Sequence, residues 1–198
     1  MVSDAIKLLI GLGNPGDSYV HTRHNAGFFF VNKLVEVYGG KFSSLSKCFG
    51  SEADISIDGQ RLRCFLPSTF MNDSGRAVGA YLRFRKWPTS CMMVAHDELD
   101  FPLGQCKLKM AGGHGGHNGL RDIMAHVGSA DFLRLRIGIG RPISGDSAHF
   151  VLSKMPLSDQ AILDEKLEAF IPHMPALIAG DIEKVMGDWH TPDDGKKG

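Results

Sequence analysis

Short apolar runs that end at glycine or polar residues alternate along this chain with segments in which apolar residues recur at helical spacing. Residues 6–12 form the first such run, and glycines end it, as expected for a buried strand. Residues 25–38 follow, with apolar side chains three and four positions apart, which is typical of a helix with one packed face. A strand followed by a helix restricts the chain to folds in which helices pack on a sheet.

The alternation continues to the end of the chain. Asp58-Gly59 separates two strand-like segments, 53–58 and 61–66, and indicates a β-hairpin. Further strands are predicted at 91–95, 105–110 and 132–139, and further helices at 72–86, 118–127, 158–170 and 175–186. We therefore predict a single α/β domain over residues 1–190, with a twisted, mixed and largely parallel sheet flanked by helices on both faces. Residues 191–198 are expected to form a flexible tail.

Composition narrows the class of protein. With 198 residues, 43% of them hydrophobic, the chain can bury a core without covalent staples. No apolar run approaches the roughly 20 residues that span a bilayer, and the first residues lack the shape of a signal peptide. The four cysteines, Cys48, Cys64, Cys91 and Cys106, have no C-x-x-C spacing and are interpreted as buried free thiols. These features predict a cytoplasmic protein that does not contact membranes.

The charge balance gives no support for a nucleic-acid partner, because Lys plus Arg and Asp plus Glu both number 22. A neutral protein can nevertheless bind RNA where its charges are segregated. Residues 103–141 show modest segregation, with only Asp122 and Asp131 as acidic residues. The basic residues of that segment are Lys107, Lys109, Arg121, Arg134, Arg136 and Arg141.

Polar side chains follow several predicted strands. Asn14, Asn72 and Asp97 each come after a strand, and ligands of such sheets bind beyond the carboxyl ends of strands. Amides are neutral and suit a substrate with hydroxyl and carbonyl groups, such as ribose or peptide. Helix capping is the alternative explanation for Asn14, Asn72 and also Asn118, since each precedes or opens a helix.

His24 and Asp97 are the candidates for acid–base chemistry. In such a pair the carboxylate orients the imidazole and stabilises imidazolium when the histidine removes a proton. The chain lacks a G-x-S-x-G nucleophile elbow, and its cysteines lie inside predicted strands. We therefore expect a water molecule to be the nucleophile and His24 to activate it.

Two other classes of site have partial matches in the sequence. The segment GLGNPG at 11–16 matches the dinucleotide fingerprint, but residues 17–22 lack helical periodicity and the acidic residue expected about 20 positions later is missing. His114 and His117 have the spacing of metal ligands, but they lie in a glycine loop, which is a poor rigid cage. We predict neither a cofactor nor a metal.

Taken together, several segments resemble the bacterial-type peptidyl-tRNA hydrolases. These segments occur in family order. They are GLGNPG at 11–16, TRHNAGF at 22–28, PSTFMN at 67–72, HDELD at 96–100, GGHGGHNGL at 112–120 and FLRLRIGIGRP at 132–142, and Tyr19 and Ser74-Gly75 also match. The resemblance implies hydrolysis of the ester between a peptide and the 3′ ribose of tRNA, which recycles tRNA. It also implies a monomer without metal or cofactor, whose partner is the acceptor stem and 3′ end of peptidyl-tRNA.

The resemblance further implies roles for individual residues. His24 matches the catalytic histidine of the family, and Asp97 matches its partner. Residues matching the substrate cleft are Asn14, Tyr19, Met71, Asn72, His117 and Asn118. The face that would bind tRNA phosphates bears Lys107, Lys109, Arg134 and Arg136.

The chain departs from the family pattern in two places. Asp73 stands where a hydrophobic residue is common, and residues 142–149 lack the lysines often found there. The second departure leaves fewer basic residues to contact tRNA. The rival functions are a non-catalytic RNA-binding protein, a dinucleotide-dependent oxidoreductase and a metallohydrolase, and the first of these shares the RNA partner. Retention of His24, Asp97 and Asn14 argues against that rival.

Overall fold

The first apolar run forms the central strand of the sheet. A computed structural model of the chain describes residues 5–142 and 144–190. In it, β1 (Leu8–Gly11) is buried along its whole length. It pairs in parallel with β4 (Gln60–Pro67) on one side and with β5 (Met92–Glu98) on the other. Its side chains pack into a hydrophobic cluster on each face of the sheet, which explains why its sequence is a continuous apolar run.

The sheet is parallel in its centre and antiparallel at both edges. Its other strands are β2 (Ser43–Leu45), β3 (Gly50–Ile57), β6 (Cys106–Met110) and β7 (Leu133–Gly138). The strand order is β2-β3-β4-β1-β5-β7-β6. The neighbours β4, β1, β5 and β7 run in parallel, whereas β3 and β6 pair antiparallel with β4 and β7. The predicted mixed sheet is confirmed, and so is the hairpin that joins β3 to β4.

Helices cover both faces of the sheet, as predicted. The longer ones are α1 (Ala26–Val37), α2 (Ser74–Arg85), α3 (Asn118–Val127) and α5 (Leu157–Phe170), and the shorter ones are α4 (Ser147–Leu152), α6 (Met174–Ala179) and α7 (Ile182–His190). α1 and the C-terminal helices pack in one hydrophobic cluster, and α2 and α3 pack in the other. The sheet separates these two cores, and side chains from alternate positions of its strands contribute to each.

The C-terminal part differs from the prediction. The helix expected at 175–186 is two helices, because Gly180 between α6 and α7 adopts a left-handed conformation with φ 92°. α4 was not predicted, since six residues are too few to show a helical period. The indole N–H of Trp189 in α7 donates a hydrogen bond of 2.7 Å to the carbonyl of Cys106, so α7 is attached to β6 at the edge of the sheet. The predicted tail at 191–198 lies outside the described residues, as do residues 1–4 of the predicted domain.

All four cysteines are buried and none forms a disulfide among the described residues, as expected from their spacing. Cys64 and Cys106 lie in strands, whereas Cys48 and Cys91 lie in short 3-10 turns. Burial raises the pKa of Cys106 to about 12, so this thiol stays protonated and unreactive at neutral pH. None of the helices within 5–142 and 144–190 is both long and apolar enough to cross a bilayer.

A close backbone contact sets the position of α1. A Cβ atom added to Gly27 would lie 2.5 Å from the backbone nitrogen of Leu12, and it would also collide with the carbonyl of Ala95. The first turn of α1 therefore lies directly on the ends of β1 and β5, without an intervening side chain. This contact matters for the site because the turn that carries His24 comes immediately before α1.

Substitution of Gly27 by alanine should lower the free energy of unfolding by about 1–3 kcal/mol, because the atoms that the new methyl group meets belong to the backbone and cannot rotate away. Gly113→Ala is the matched control, since a Cβ at Gly113 meets no atom within 4 Å. Urea unfolding of both variants measures the difference. Equal stability of the two variants would contradict this account.

Candidate active site

The carboxyl ends of the central strands open into a cavity of about 560 Å³. The predicted catalytic and substrate-binding residues all lie on its wall: Asn14, Tyr19, His24, Met71, Asn72, Asp97, His117 and Asn118. They come from segments that follow β1 and β4, from β5 itself, and from the start of α3. The parallel order of β4, β1 and β5 therefore brings distant parts of the sequence into one cleft.

His24 and Asp97 are in direct contact. Asp97 lies near the end of β5, which continues through Glu98 because it pairs with β7, whereas the sequence pattern ended this strand at Ala95. The carboxylate is 4% exposed, and its Oδ1 lies 2.9 Å from Nδ1 of His24. His24 lines the cavity, and its Nε2 has no hydrogen-bond partner among the described residues. The imidazole thus has one nitrogen bound to the carboxylate and the other available to a ligand.

The electrostatics make His24 a stronger base than a free imidazole and keep its partner Asp97 ionised. Burial alone would lower the pKa of His24, but the charge and hydrogen bond of Asp97 outweigh burial and raise the pKa above 6.5. Burial would also raise the pKa of Asp97, yet His24 and His117 hold it well below its usual range. Asp97 therefore carries no proton at neutral pH, so Nδ1 of His24 must donate the hydrogen bond between them.

A second imidazole contacts the same carboxylate. Nε2 of His117 lies 2.9 Å from Oδ1 of Asp97, and Nδ1 of His117 accepts a hydrogen bond of 3.3 Å from the backbone N–H of Leu120. His117 is the N-cap residue of α3, which corrects the expectation that Asn118 could cap this helix. The ring of His117 is therefore bonded at both nitrogens.

Asn14 is held rigidly, and it is not a helix cap. Its backbone N–H and carbonyl bond the side chain of Asn25, at 2.8 and 3.0 Å. Its Oδ1 accepts a hydrogen bond of 2.7 Å from the backbone N–H of Met71. Because Oδ1 is occupied, the amide NH₂ is the part of the side chain left for a ligand in the cavity. Asn25 itself was not singled out in the sequence, although it lies beside His24 in the matching segment.

The turn after β1 also bears on the dinucleotide alternative. In dinucleotide folds a helix begins within the glycine-rich turn and directs its N-terminus at the pyrophosphate. Here α1 begins only at Ala26, after a 3-10 turn at Arg23–Asn25. The glycine segment instead presents Asn14 to the cavity, so the fingerprint match has a different structural role.

Asn72 and Asn118 are exposed at the rim, in positions suited to contact a ligand. Asn72 lies in a 3-10 turn at Met71–Asp73, and Asn118 is the first residue of α3, where its Oδ1 accepts a hydrogen bond of 3.2 Å from Arg121. Sequence reasoning missed other residues of the wall, among them Phe70, His96, Leu99, Val151 and Leu152. Two of these belong to α4, which gave no sequence signal.

One group of side chains could in principle hold a metal. Among the described residues, ligand atoms of His24, Asp97 and His117 all lie within 4.8 Å of one another. The hydrogen bonds of His117 indicate instead that these three side chains bond one another. Leu120 donates to Nδ1 of His117, which places the ring proton on Nε2, and a protonated nitrogen cannot bind a metal. His114 is not part of this group, and its Nδ1 accepts a hydrogen bond of 3.0 Å from Gly116.

The basic residues on β6 and β7 do not all reach the surface. Lys107 and Lys109 lie opposite Arg136 and Arg134 across the antiparallel pair. Lys109 is exposed, and Lys107 and Arg136 are partly exposed. Arg136 lies 2.9 Å from Glu98, so part of its charge is neutralised, and both Arg136 and Lys107 stack on Phe101.

Arg134 is a correction to the predicted phosphate-binding face. It is only 2% exposed, and its guanidinium donates to the carbonyl of Gly113 at 2.6 Å and to that of Gly112. Strand alternation placed Arg134 on the polar face, but it could not reveal that the glycine loop folds over that side chain. Arg134 therefore anchors the loop that leads to His117 and is not available to a phosphate.

Comparison with known proteins decides the family. A sequence model of peptidyl-tRNA hydrolase matches residues 8–197. The chain belongs to the peptidyl-tRNA hydrolase family. Peptidyl-tRNA hydrolases from Saccharophagus degradans and Pseudomonas entomophila are 45% and 46% identical to it, over 94% of this chain and 95% and 97% of theirs. The crystal structure of peptidyl-tRNA hydrolase from Acinetobacter baumannii superimposes with a TM-score of 0.89 at 41% identity, covering 94% of this chain and 95% of that one. The family resemblance of the sequence segments is thereby confirmed.

Replacement of Arg134 by methionine should loosen the glycine loop, because two backbone carbonyls lose a charged donor. We expect faster amide hydrogen exchange in the peptide that covers residues 112–117. Lys109→Met is the control, since Lys109 lies opposite Arg134 but is exposed. Unchanged exchange in the Arg134 variant would contradict the anchoring role.

Proposed function

We propose that this chain hydrolyses the ester that joins a peptide to the 3′ ribose of tRNA, with His24 and Asp97 as its catalytic pair. The observation that supports it best is the 2.9 Å contact between Nδ1 of His24 and Oδ1 of Asp97 in a chain of this family. That contact leaves Nε2 of His24 for a water molecule in the cavity.

The first step is proton removal. Nε2 of His24 takes a proton from water as the water oxygen attacks the ester carbonyl carbon. The imidazolium that forms is stabilised by the buried carboxylate of Asp97, which stays ionised throughout. The carbonyl oxygen becomes an oxyanion, and the NH₂ group of Asn14 is the donor proposed to stabilise it, because the remaining bonds of Asn14 hold this group in place.

The second step breaks the ester. The tetrahedral intermediate collapses, the bond to the ribose oxygen breaks, and His24 returns its proton to that oxygen. The products are a peptide with a free carboxylic acid, which then loses its proton to solvent, and a tRNA with a free ribose hydroxyl. The base is regenerated, so the cycle needs only water.

The substrate would lie along the rim of the cavity. Tyr19 and Met71 form an apolar part of the wall, and the ring of Tyr19 contacts that of Phe70 edge-on at 6.1 Å between centroids. The exposed amides of Asn72 and Asn118 are proposed to bind peptide backbone groups. Such contacts would favour an N-acylated residue over a free α-ammonium group and so protect ordinary aminoacyl-tRNA.

The acceptor stem is proposed to bind along β6 and β7. Lys107, Lys109 and Arg136 lie on that surface, and phosphate contacts of this kind give affinity that falls with salt. We expect the protein to act as a monomer in the cytoplasm.

Substitution of His24 by alanine should lower kcat by about 10²–10⁴, the usual contribution of general base catalysis, while the fold is retained. The assay measures release of N-acyl amino acid from acyl-tRNA in the presence of EDTA. His21→Ala is the matched control, since His21 is exposed and lies three positions away.

Three outcomes would contradict the proposal. Normal turnover of the His24 variant would show that His24 is not the general base. Binding of tRNA by the unmodified chain without ester cleavage would favour the RNA-binding rival. Loss of activity in EDTA would favour a metal-dependent hydrolase.

Lys109→Ala should weaken tRNA binding and reduce the slope of log affinity against log salt by about one unit, the amount expected for one lost phosphate contact. The control is Lys184→Ala, which removes an exposed lysine of α7. Binding measured between low and physiological salt distinguishes the two variants. Equal slopes would exclude Lys109 from the tRNA surface.

A further inference from the structure

We infer that His117 is a positioning residue that holds the carboxylate of Asp97 against His24, and that it is not principally a substrate contact. The inference rests on the proposed function, because it assigns a role within the same catalytic pair. Two imidazoles share one oxygen atom of this carboxylate. Oδ1 of Asp97 lies 2.9 Å from Nδ1 of His24 and 2.9 Å from Nε2 of His117.

The bonding of His117 determines where its proton lies. Nδ1 accepts the backbone N–H of Leu120, so this nitrogen carries no hydrogen in the neutral ring. The proton must then be on Nε2, which faces Asp97. The start of α3 thus sets the tautomer of His117, and that tautomer makes the ring a donor to the carboxylate.

The surroundings of His117 leave little of the ring for substrate. Its side chain is 9% exposed. The ring of His96 packs edge-on against it at 4.9 Å between centroids, and the ring of His24 lies at 5.2 Å. His96 is buried and stays neutral, since burial and the neighbouring His117 together lower its pKa to about 3. Both ring nitrogens of His117 are also engaged within the protein.

Sharing of Oδ1 has two consequences for His24. Two donors from different elements restrict rotation of the carboxylate, which keeps Nε2 of His24 aimed at the cavity. The second donor also weakens the electrostatic interaction by which Asp97 stabilises protonated His24. The titratable groups around the two rings are Asp97 and His96 on β5 and, on the cavity wall, Tyr19, Glu98, Asp100, His114 and Arg141.

Two substitutions separate the two bonds of His117. In His117→Asn the side-chain oxygen can replace Nδ1 as acceptor for Leu120, because asparagine is a good N-cap, but no donor reaches Asp97. In His117→Gln the amide nitrogen can reach the position of Nε2 and donate to Asp97, while the cap is lost. The pair therefore distinguishes support of the helix from support of the carboxylate.

We expect H117N to lose about tenfold in kcat with little change in KM, the effect of losing one hydrogen bond to a charged group. The acidic limb of its kcat/KM profile should move to higher pH, because the undivided charge of Asp97 favours protonated His24. H117Q should retain a clearly higher kcat than H117N. The acidic limb of its kcat/KM profile should stay at the pH of the unmodified enzyme, although its melting temperature falls.

Several results would overturn the inference. These are normal kcat in H117N, equal loss in both variants, or a rise in KM with kcat unchanged, which is the result expected of a substrate contact. Failure of the proposed function itself is recognised separately, because the unmodified enzyme would then cleave no ester.

Discussion

The carboxylate of Asp97 is the group on which the rest of the site depends. A buried charge is costly unless donors surround it, and here the donors come from two other elements: His24 before α1 and His117 at the start of α3. Each donor is in turn fixed by the backbone. His117 is fixed by its bond to Leu120, and His24 by the direct contact of α1 with the ends of β1 and β5. One ionised oxygen thus couples the sheet to a helix on each of its faces.

The hydrogen bonds that hold Asn14 in place go to other groups than this carboxylate. Asn14 uses its own backbone to bind Asn25 and its side-chain oxygen to bind Met71, so it links the segments after β1 and β4. The site therefore combines a buried charged pair with uncharged amide donors on the same cavity wall. That combination suits an ester whose transition state carries negative charge on a single oxygen.

Much of the fold follows from local pattern, because β1 is a continuous apolar run and Asp58-Gly59 favours only a tight turn between strands. The convergence of Asn14, His24 and Asp97 follows from the parallel order of the strands.

Other features depend on tertiary contacts that no local pattern records. The period of β7 shows that Arg134 is opposite its apolar face, but not that a loop covers it. The spacing of His117 resembles that of a metal ligand, and only its bonds to Leu120 and Asp97 reveal another role. α4 is too short to show a period.

The bond between Trp189 and Cys106 has a consequence for biosynthesis. β6 is an outer strand, and an open strand edge is a template on which another chain can pair. In the folded protein the indole of Trp189 binds one backbone carbonyl of that edge, that of Cys106. Trp189 is synthesised 83 residues after Cys106. During translation β6 therefore leaves the ribosome well before α7, which carries Trp189. The nascent chain must either delay the docking of β6 or pass through a stage in which this edge is open to association.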